Sequence, residues 1–598
     1  MTKCHKISGA AIGLVLAIYL LMGFTASPRQ RWNGLLHDRN GHYGYGLDMA
    51  MEIEHGNVAG FISQFEKGKV WPPLHGLLVA VTQVMSGNDW RFAVLPSLLG
   101  WLLMVSVVYF TAEKIAAPTG VGWGAGLAAL IFAVLSPCHR VFAVDIMLES
   151  LGSGLMLLVI ACYVQAAERR DAVRWWRAVA ILLTLLFFEK YNYWMIVVLS
   201  LVLAESGNLG AVGRKWMSGT NWRAFFLAEL RHPLNWLLLV LLATVCWIFA
   251  HGHAELAITG HRVSLYPPNN LFTLAYAVFF VRVVLAIRHT GWKPHSVPGL
   301  MLGCWHLIPV AISFLLPRRL SLFVWYLSFA NNNGEKSNVA YAANYYGRVF
   351  VTDYHVSLFF ALAAGILASV GCWQAWKLGR GARALIACAL LSALLTVFHP
   401  NHQARFLHPW LPALWIMAGI GLSYMLAPFP MRSLPMGACI VGLVALGGSA
   451  WLSLGHSEQA GHRGETHSLL DLSDVWLKDA EGAGGVAFVA TQPCESFIHW
   501  TFRQRYGMGK NFEWPDWQNE KTNTDARAGF ERWIGQTSSD MLVFFEVLRE
   551  SPDFWEQGDK MEIRNQLGYW LEQQKKFKQT QRVEIPEQGC VITIWHAN

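Results

Sequence analysis

The sequence predicts a mainly α protein: a polytopic helical bundle that spans a membrane, followed by a small α/β domain outside the cytoplasm. Three observations carry this prediction. Of 598 residues, 54% are hydrophobic and only 14% are charged, whereas soluble domains carry roughly 25% charge. Apolar runs of roughly 20 residues, long enough to cross a bilayer, recur through residues 1–454. Within 455–598 the pattern changes to short β-rich runs between amphipathic ones. Mean hydropathy is +0.32. The 28 Trp and 17 Tyr are residue types that gather where membrane meets water.

The apolar runs lie at 7–25, 93–112, 120–138, 147–167, 175–189, 192–205, 234–251, 271–288, 299–316, 356–376, 382–398, 407–426 and 434–454, about 13 spans in all. The first has a basic flank and an apolar core. Its exit, ASPRQRW, is a poor cleavage site, so it reads as an uncleaved helix rather than a signal peptide. Lys3 and Lys6 put the N-terminus in the cytoplasm. Basic loops then alternate as the positive-inside bias requires: AEKIAAP, AERRDAVRWWR, GRKWMSGTNWRAFFLAELRH, AIRHTGWKPH, WKLGRGAR and PMR all fall on the inner side. The net charge of +8 is thus placed by topology and implies no nucleic-acid partner. The loops 26–92, 139–146, 190–191, 252–270, 317–355 and 399–406 fall outside, as does the tail. In FFEKYNYW, Glu189–Lys190 interrupts an apolar pair near that outer end.

The first outer loop is long. HDRNGHYGYG (37–46) reads as a polar, aromatic turn region rich in Gly and Asn. LDMAMEIEHGN reads as a short interfacial helix with a Gly stop. PPLHGLLVAVTQVM begins with Pro, which suits a helix start. It stays apolar for too few residues to span, and a crossing there would invert the side of every later loop. It is therefore expected to lie along the surface or dip in partway.

In the tail, GGVAFVATQ, SDMLVFFEV and GCVITIWH read as strands, and SLLDLSDVWLKDA, DARAGFERWIG and EIRNQLGYWLEQQKKF as helices. It carries no phosphate loop, no HExxH and no nucleophile elbow. The ten Cys form no CxxC pair. Those in apolar runs, such as Cys162, Cys246, Cys304, Cys372, Cys388 and Cys439, read as small buried hydrophobes. Cys494 and Cys590 lie in the tail, where an oxidising compartment would allow them to pair.

The charged residues of the outer loops are the candidates for chemistry. Asp38 has two readings: a general base beside the membrane face, or a turn-capping aspartate. Asp48 is the reserve acid; with Glu52 and Glu54 it falls in the interfacial helix. In CHRVFAVDIMLES, Arg140, Asp145 and Glu149 sit between two spans. Asp145 and Glu149 are spaced i, i+4, as if on one helix face. They are either ligands for a metal or sugar, or acids favoured by a helix N-terminus. HPNHQARFLHP supplies His399, His402, Arg405 and His408, at no standard zinc spacing. Arg318 and Arg319 break the charge bias, either to bind an anion or to snorkel to the interface.

Four stretches resemble the C-type glycosyltransferase superfold, and within it the dolichyl-phosphate-mannose protein mannosyltransferase superfamily, which includes the aminoarabinose transferases of lipid A. They are Asp38 followed by Tyr43 and Tyr45, WPPLHGLL at 71–78, WRFAVLPSLLG at 90–100, and ARFLHPWLPAL at 404–414. RVFAVDIMLES is similar to the family's second outer loop. The resemblance extends in outline over about 450 residues. It differs in detail: the family's Asp-Glu pair is replaced by a single Asp38 one residue out of register with Tyr43, and the Lys before Pro-Pro is Trp71, with Lys69 two positions earlier.

The resemblance implies an inverting membrane glycosyltransferase with a polyprenyl-phosphate-linked sugar as donor. The acceptor, a lipid such as lipid A, a polysaccharide or a protein, would approach from outside. Asp38 would take the acceptor proton. Lys69, Arg318, Arg319 and Arg405 would hold the donor phosphate. His37, His42, Tyr43, Tyr45, Arg140, Asp145, Glu149 and His402 would line the sugar sites. No cofactor is implied, and no ligand set supports a divalent metal. Other readings are a polysaccharide exporter or flippase, a glycan ligase or polymerase using a diphosphate-linked carrier, and an interaction protein working through its tail. No Asn precedes a Ser or Thr two positions on, which favours a bacterial inner membrane with the tail in the periplasm.

Overall fold

Every apolar segment singled out in the sequence forms a helix in the computed structural model. The structure describes residues 2–26, 37–67, 71–169, 173–208, 210, 227, 229–251, 255–258, 261–264, 268–290, 296–316, 319–328, 338–399, 402–429, 431–461, 469–489, 492–513, 523–547, 559–585 and 590–598. Among the described residues, six helices have the length and composition to cross a bilayer, or seven if the Gly122–Leu135 and Pro137–Ala143 helices, bent by 69° relative to each other, count as one broken span. Other apolar helices, among them Tyr191–Ala204 and Leu411–Leu426, are shorter.

Small residues hold the centre of the bundle together. Lipid gives helices no hydrophobic reason to associate, so close van der Waals approach must supply the attraction. A Cβ on Gly371 would meet Met417 O at 1.8 Å, and one on Gly421 would meet Leu367 O at 1.9 Å. The Leu358–Lys377 and Leu411–Leu426 helices therefore touch backbone to backbone. Gly100 and Gly154 do the same for Leu95–Ala116 and Leu148–Glu168, and Gly419 sits against Ala125 O. By contrast, the most apolar stretches of Pro233–His251 and Asn269–Thr290 are only 11% and 6% buried. These helices present apolar side chains outward, as a lipid boundary requires. The same reasoning corrects the expectation for Cys246 and Cys304, which are exposed; apolarity in a lipid-facing helix does not imply burial.

The segment between the first two apolar runs departs from its expected form. Residues 37–46 are not a turn region: a single helix runs from His37 to Glu54, with Asp38 in its first turn. Its glycines serve packing. A Cβ on Gly41 would lie 2.6 Å from the Trp71 ring, and one on Gly46 would lie 2.4 Å from Val79. Val58–Lys67 forms a second helix. Pro73–Ser86 forms a third, with Pro at its start and a left-handed Gly87 (φ 66°) that donates to Gln83 O at its end.

In the C-terminal region the Ser433–Gly461 helix leads to a five-stranded mixed sheet. Its strand order is Asn511–Glu513, Gly485–Val489, Met541–Val547, Cys590–Ala597, Phe577–Ile585. The first three are mutually parallel and the last two antiparallel. The pleat sorts side chains by face. Val486, Phe488, Met541, Val543, Ile592 and Ile594 join the core that is continuous with the helical bundle, while Ala487, Val489, Leu542, Phe544 and Trp595 pack on Phe530, Ile534, Leu567 and Trp570. The three strands and three helices read from the tail sequence are present. The strands at 511–513 and 577–585, the hairpin pairing Glu255–Ile258 with His261–Ser264, and the Gln492–Tyr506 helix were not foreseen.

Candidate active site

Five separate stretches of chain bring ionisable side chains to one end of the bundle. Asp38 and Arg39 come from the first turn of the His37–Glu54 helix. Asp145 lies in the turn before Leu148–Glu168, and Glu149 lies in that helix's first turn. Lys190 occupies the break between Val173–Glu189 and Tyr191–Ala204. Arg405 is on a short 3-10 turn, Ala404–Leu407. His75 is near the start of Pro73–Ser86.

Four of these groups form a chain of alternating charge. Arg405 Nη1 lies 2.6 Å from Asp38 Oδ2 and 3.7 Å from Glu149 Oε1. Lys190 Nζ donates to the same Glu149 oxygen at 2.6 Å. The Asp38 and Arg405 side chains are 30% and 19% exposed, while Glu149 is 3% exposed. The Asp38–Arg405 pair is therefore the approachable rim and Glu149 the buried anchor. Burial works against the Arg405 charge, but Glu149 and Asp38 outweigh it and hold the guanidinium protonated, with its pKa raised. Gln403 Oε1 also accepts from Arg405 Nε at 2.5 Å and fixes the plane of the fork.

Two further pairs brace this cluster. Arg39 donates to both oxygens of Asp145, at 2.5 and 2.8 Å, in a buried fork. That corrects the expectation that Asp145 and Glu149 share a helix face: Asp145 precedes the helix, and each acid has its own cation. His75 Nδ1 lies 3.0 Å from Glu189 Oε1, both side chains fully buried. His42 packs on the Trp71 ring at 4.2 Å and faces His75 at 5.8 Å. Burial, reinforced by His75, pushes the His42 pKa down to about 3, so this imidazole is neutral at physiological pH.

The remaining candidates lie elsewhere or have structural partners. Asp48 is bonded to His499 at 2.9 Å. Ten residues along a helix put it about 15 Å from Asp38 in rise, so the two acids do not share a site. Tyr43 is buried, and its hydroxyl bonds with Gln83 Oε1 and Gln504 Oε1 at 3.1 and 2.8 Å. Tyr45 donates to Phe65 O at 3.3 Å, and burial pushes its pKa up to about 12. Arg319 is buried, with its guanidinium donating to Phe65 O at 2.7 Å and lying over the Phe65 ring. Arg140 is half-buried on Pro137–Ala143. His402 packs among Tyr341, Tyr345 and Tyr346. Lys69, Arg318 and the side chains of His37, Cys494 and Cys590 lie outside the described residues.

Sequence reasoning did not select Lys190, Arg39 or His75 for the site. The signal for Lys190 was a charged pair, Glu189–Lys190, interrupting an apolar run. Arg39 and His75 sat inside the stretches HDRNGHYGYG and WPPLHGLL, next to residues that were selected.

The helical bundle is that of a polytopic membrane protein, and its fold is the C-type glycosyltransferase fold of the solved structures it resembles. Its likeness to solved structures is extensive. ArnT from Cupriavidus metallidurans in the apo state superposes with a TM-score of 0.53 at 13% identity, covering 98% of this chain and 97% of that one. The same protein bound to undecaprenyl phosphate gives 0.52 at 13% identity over 98% of both chains. The Archaeoglobus fulgidus oligosaccharyltransferase in the apo form gives 0.50 at 10% identity, over 97% of this chain and 73% of that one. No protein-family model matches the chain, and no curated protein sequence does.

Proposed function

We propose that the chain is an integral membrane glycosyltransferase that moves a sugar from a polyprenyl-phosphate carrier to an acceptor outside the cytoplasm, with inversion at the anomeric carbon. The observation that carries this reading is the Asp38–Arg405–Glu149–Lys190 chain, with its outer pair open to approach. In the reaction an acceptor hydroxyl or amine attacks the anomeric carbon. A bond forms from acceptor to sugar, the bond from sugar to phosphate oxygen breaks, and the lipid phosphate leaves with the electron pair. Asp38 takes the acceptor proton. Arg405 and Lys190 are the cations suited to the phosphate, the guanidinium by a two-point contact.

Within the cluster each carboxylate faces a cation. A phosphate entering beside Arg405 competes with Asp38 for the guanidinium. Donor binding thereby frees the carboxylate that must accept the proton. The relative solved with undecaprenyl phosphate supports a carrier of that class. The charge bias of the loops supports an inner-membrane location with a cytoplasmic N-terminus, residues 1–454 as the membrane domain and 455–598 as a periplasmic domain.

The test is extraction of glycolipids and glycans from a strain lacking the protein, followed by mass spectrometry. A glycan should lose the mass of one sugar. The native gene should restore it and Asp38→Asn should not. Restoration by Asp38→Asn would overturn the proposal.

A further inference from the structure

The helix Gln492–Tyr506 of the C-terminal region packs along the same His37–Glu54 helix that carries Asp38. The contact is specific. Trp500 Nε1 donates to Asn40 Oδ1 at 2.8 Å, two residues from Asp38. The Trp500 ring meets the Tyr43 ring edge-on at 5.0 Å. Gln504 Oε1 accepts from the Tyr43 hydroxyl at 2.8 Å, while its Nε2 donates to Asn88 O at 2.5 Å. His499 bonds to Asp48 at 2.9 Å. Gly44 lies beneath this contact: a Cβ there would be 3.6 Å from Trp500 Cβ and 3.7 Å from His499 Cδ2.

The Trp500–Asn40 bond is buried, and those of Gln504 and His499 are half-buried. Asn40 and Trp500 are each 3% exposed and Tyr43 is 0% exposed. Buried hydrogen bonds hold a fixed geometry better than exposed ones, because water cannot replace either partner. On the opposite side, Tyr43 also reaches Gln83 of the Pro73–Ser86 helix. Gln504 therefore ties three pieces together: the helix bearing the base, the turn at Asn88, and the C-terminal region.

We infer that the Gln492–Tyr506 helix positions the proposed base, with Trp500 and Gln504 acting through Asn40 and Tyr43 to hold the first turns of the His37–Glu54 helix over Arg405. The C-terminal region is then a working part of the site, not an appended module. The turnover arm of this inference rests on the proposed function; the structural arm does not.

The experiment compares the native full chain with Trp500→Phe, which keeps a ring but removes the donor, and Tyr43→Phe, which removes the hydroxyl. Three quantities are read: amide hydrogen exchange over residues 37–46, affinity for undecaprenyl phosphate, and the sugar transfer restored in the deletion strain. Losing one net hydrogen bond should speed exchange in 37–46 by about fivefold. Transfer should fall by about the same factor or more, with carrier affinity within about twofold of native, since Arg405 and Lys190 stay in place. Unchanged exchange, or faster exchange with native transfer, would overturn the inference. A parallel loss of carrier affinity would also overturn it, by reducing the contact to general support. Asp38→Asn is measured alongside: if it transfers normally the proposed function fails, while the exchange result still tests the contact.

Discussion

Asp145→Asn is the sharpest probe of how the Asp38 helix is anchored. The Arg39 and Asp145 side chains are 7% and 5% exposed, and the fork closes at 2.5 and 2.8 Å. Neutralising the acid leaves a buried guanidinium facing an amide. Removing one partner of such a pair costs about 3–5 kcal/mol, or roughly 10²–10⁴-fold in the folding equilibrium. Asn keeps an oxygen for the Ile146 N–H, which Asp145 Oδ1 accepts at 2.7 Å, so the loss reports on the charge. Unfolding of the purified protein by SDS titration in mixed micelles measures it. Adding Arg39→Met should recover more than half of the loss, because the stranded charge is then gone. Stability of Asp145→Asn within about 0.5 kcal/mol of native, the range of an ordinary surface change, would refute the claim that the pair is desolvated.

Other expectations follow from the same geometry. Arg405→Lys replaces a planar fork with a point charge; undecaprenyl phosphate should bind roughly 10- to 100-fold more weakly, the worth of one charged hydrogen bond, and calorimetry reads it. Gly371→Leu should yield no monodisperse protein on size exclusion, because even its Cβ would lie 1.8 Å from Met417 O; Gly365→Ala on the same helix, with nothing within 4 Å, should behave as native. His42 has its pKa lowered from 6.5 to about 3. Between those values the unfolded chain holds a proton that the folded one lacks, so this group makes stability rise with pH, by up to about 1.4 kcal/mol per unit, and levels off above 6.5. His42→Gln should flatten the unfolding midpoint between pH 4 and 6.5; an unchanged slope would refute the assignment.

The fold was legible because a bilayer imposes a simple rule on sequence: runs of sufficient length and apolarity become helices. Each of the apolar segments obeyed it, and loops such as AERRDAVRWWR carried a consistent charge bias. Asp38, Asp145, Glu149 and Arg405 were also picked out, since charge beside a span is uncommon enough to notice. Their pairing was not readable. The partner of Glu149 is Lys190, 41 residues on, and that of Arg39 is Asp145, 106 residues on. Local spacing carries no information at those separations, and the i, i+4 relation of Asp145 and Glu149 suggested a shared face that the chain does not build. The Gln492–Tyr506 helix was missed for a related reason. In QPCESFIHWTFRQRY the buried Phe497, Ile498 and Phe502 are interleaved with His499, Trp500 and Gln504, which are committed to a helix more than 400 residues away.

The stretch HDRNGHYGYG shows how far tertiary context can override local preference. Glycine in a helix costs roughly 0.5–1 kcal/mol relative to alanine, so Gly41, Gly44 and Gly46 together disfavour this helix by roughly 1.5–3 kcal/mol, and by composition it should be a turn. The structure uses each absence of a side chain. Gly41 admits the Trp71 ring, Gly44 admits His499 and Trp500, and Gly46 admits Val79. At Gly41 and Gly46 the neighbours make contacts that a Cβ would forbid, while at Gly44 His499 and Trp500 sit at ordinary packing distance from where a Cβ would be. A helix stabilised in this way has little reason to form alone. Its register, and with it the direction in which Asp38 points, is set by Trp71, by the Pro73–Ser86 helix and by the C-terminal region. In the proposed reaction the base must stand within hydrogen-bond reach of an acceptor while a phosphate occupies Arg405. A self-sufficient helix could rotate between alternative packings, whereas one notched at Gly41 and Gly46 and bonded to Trp500 through Asn40 fits its neighbours in a single orientation. The sequence feature that hid the helix is therefore the feature that fixes the aim of its acid.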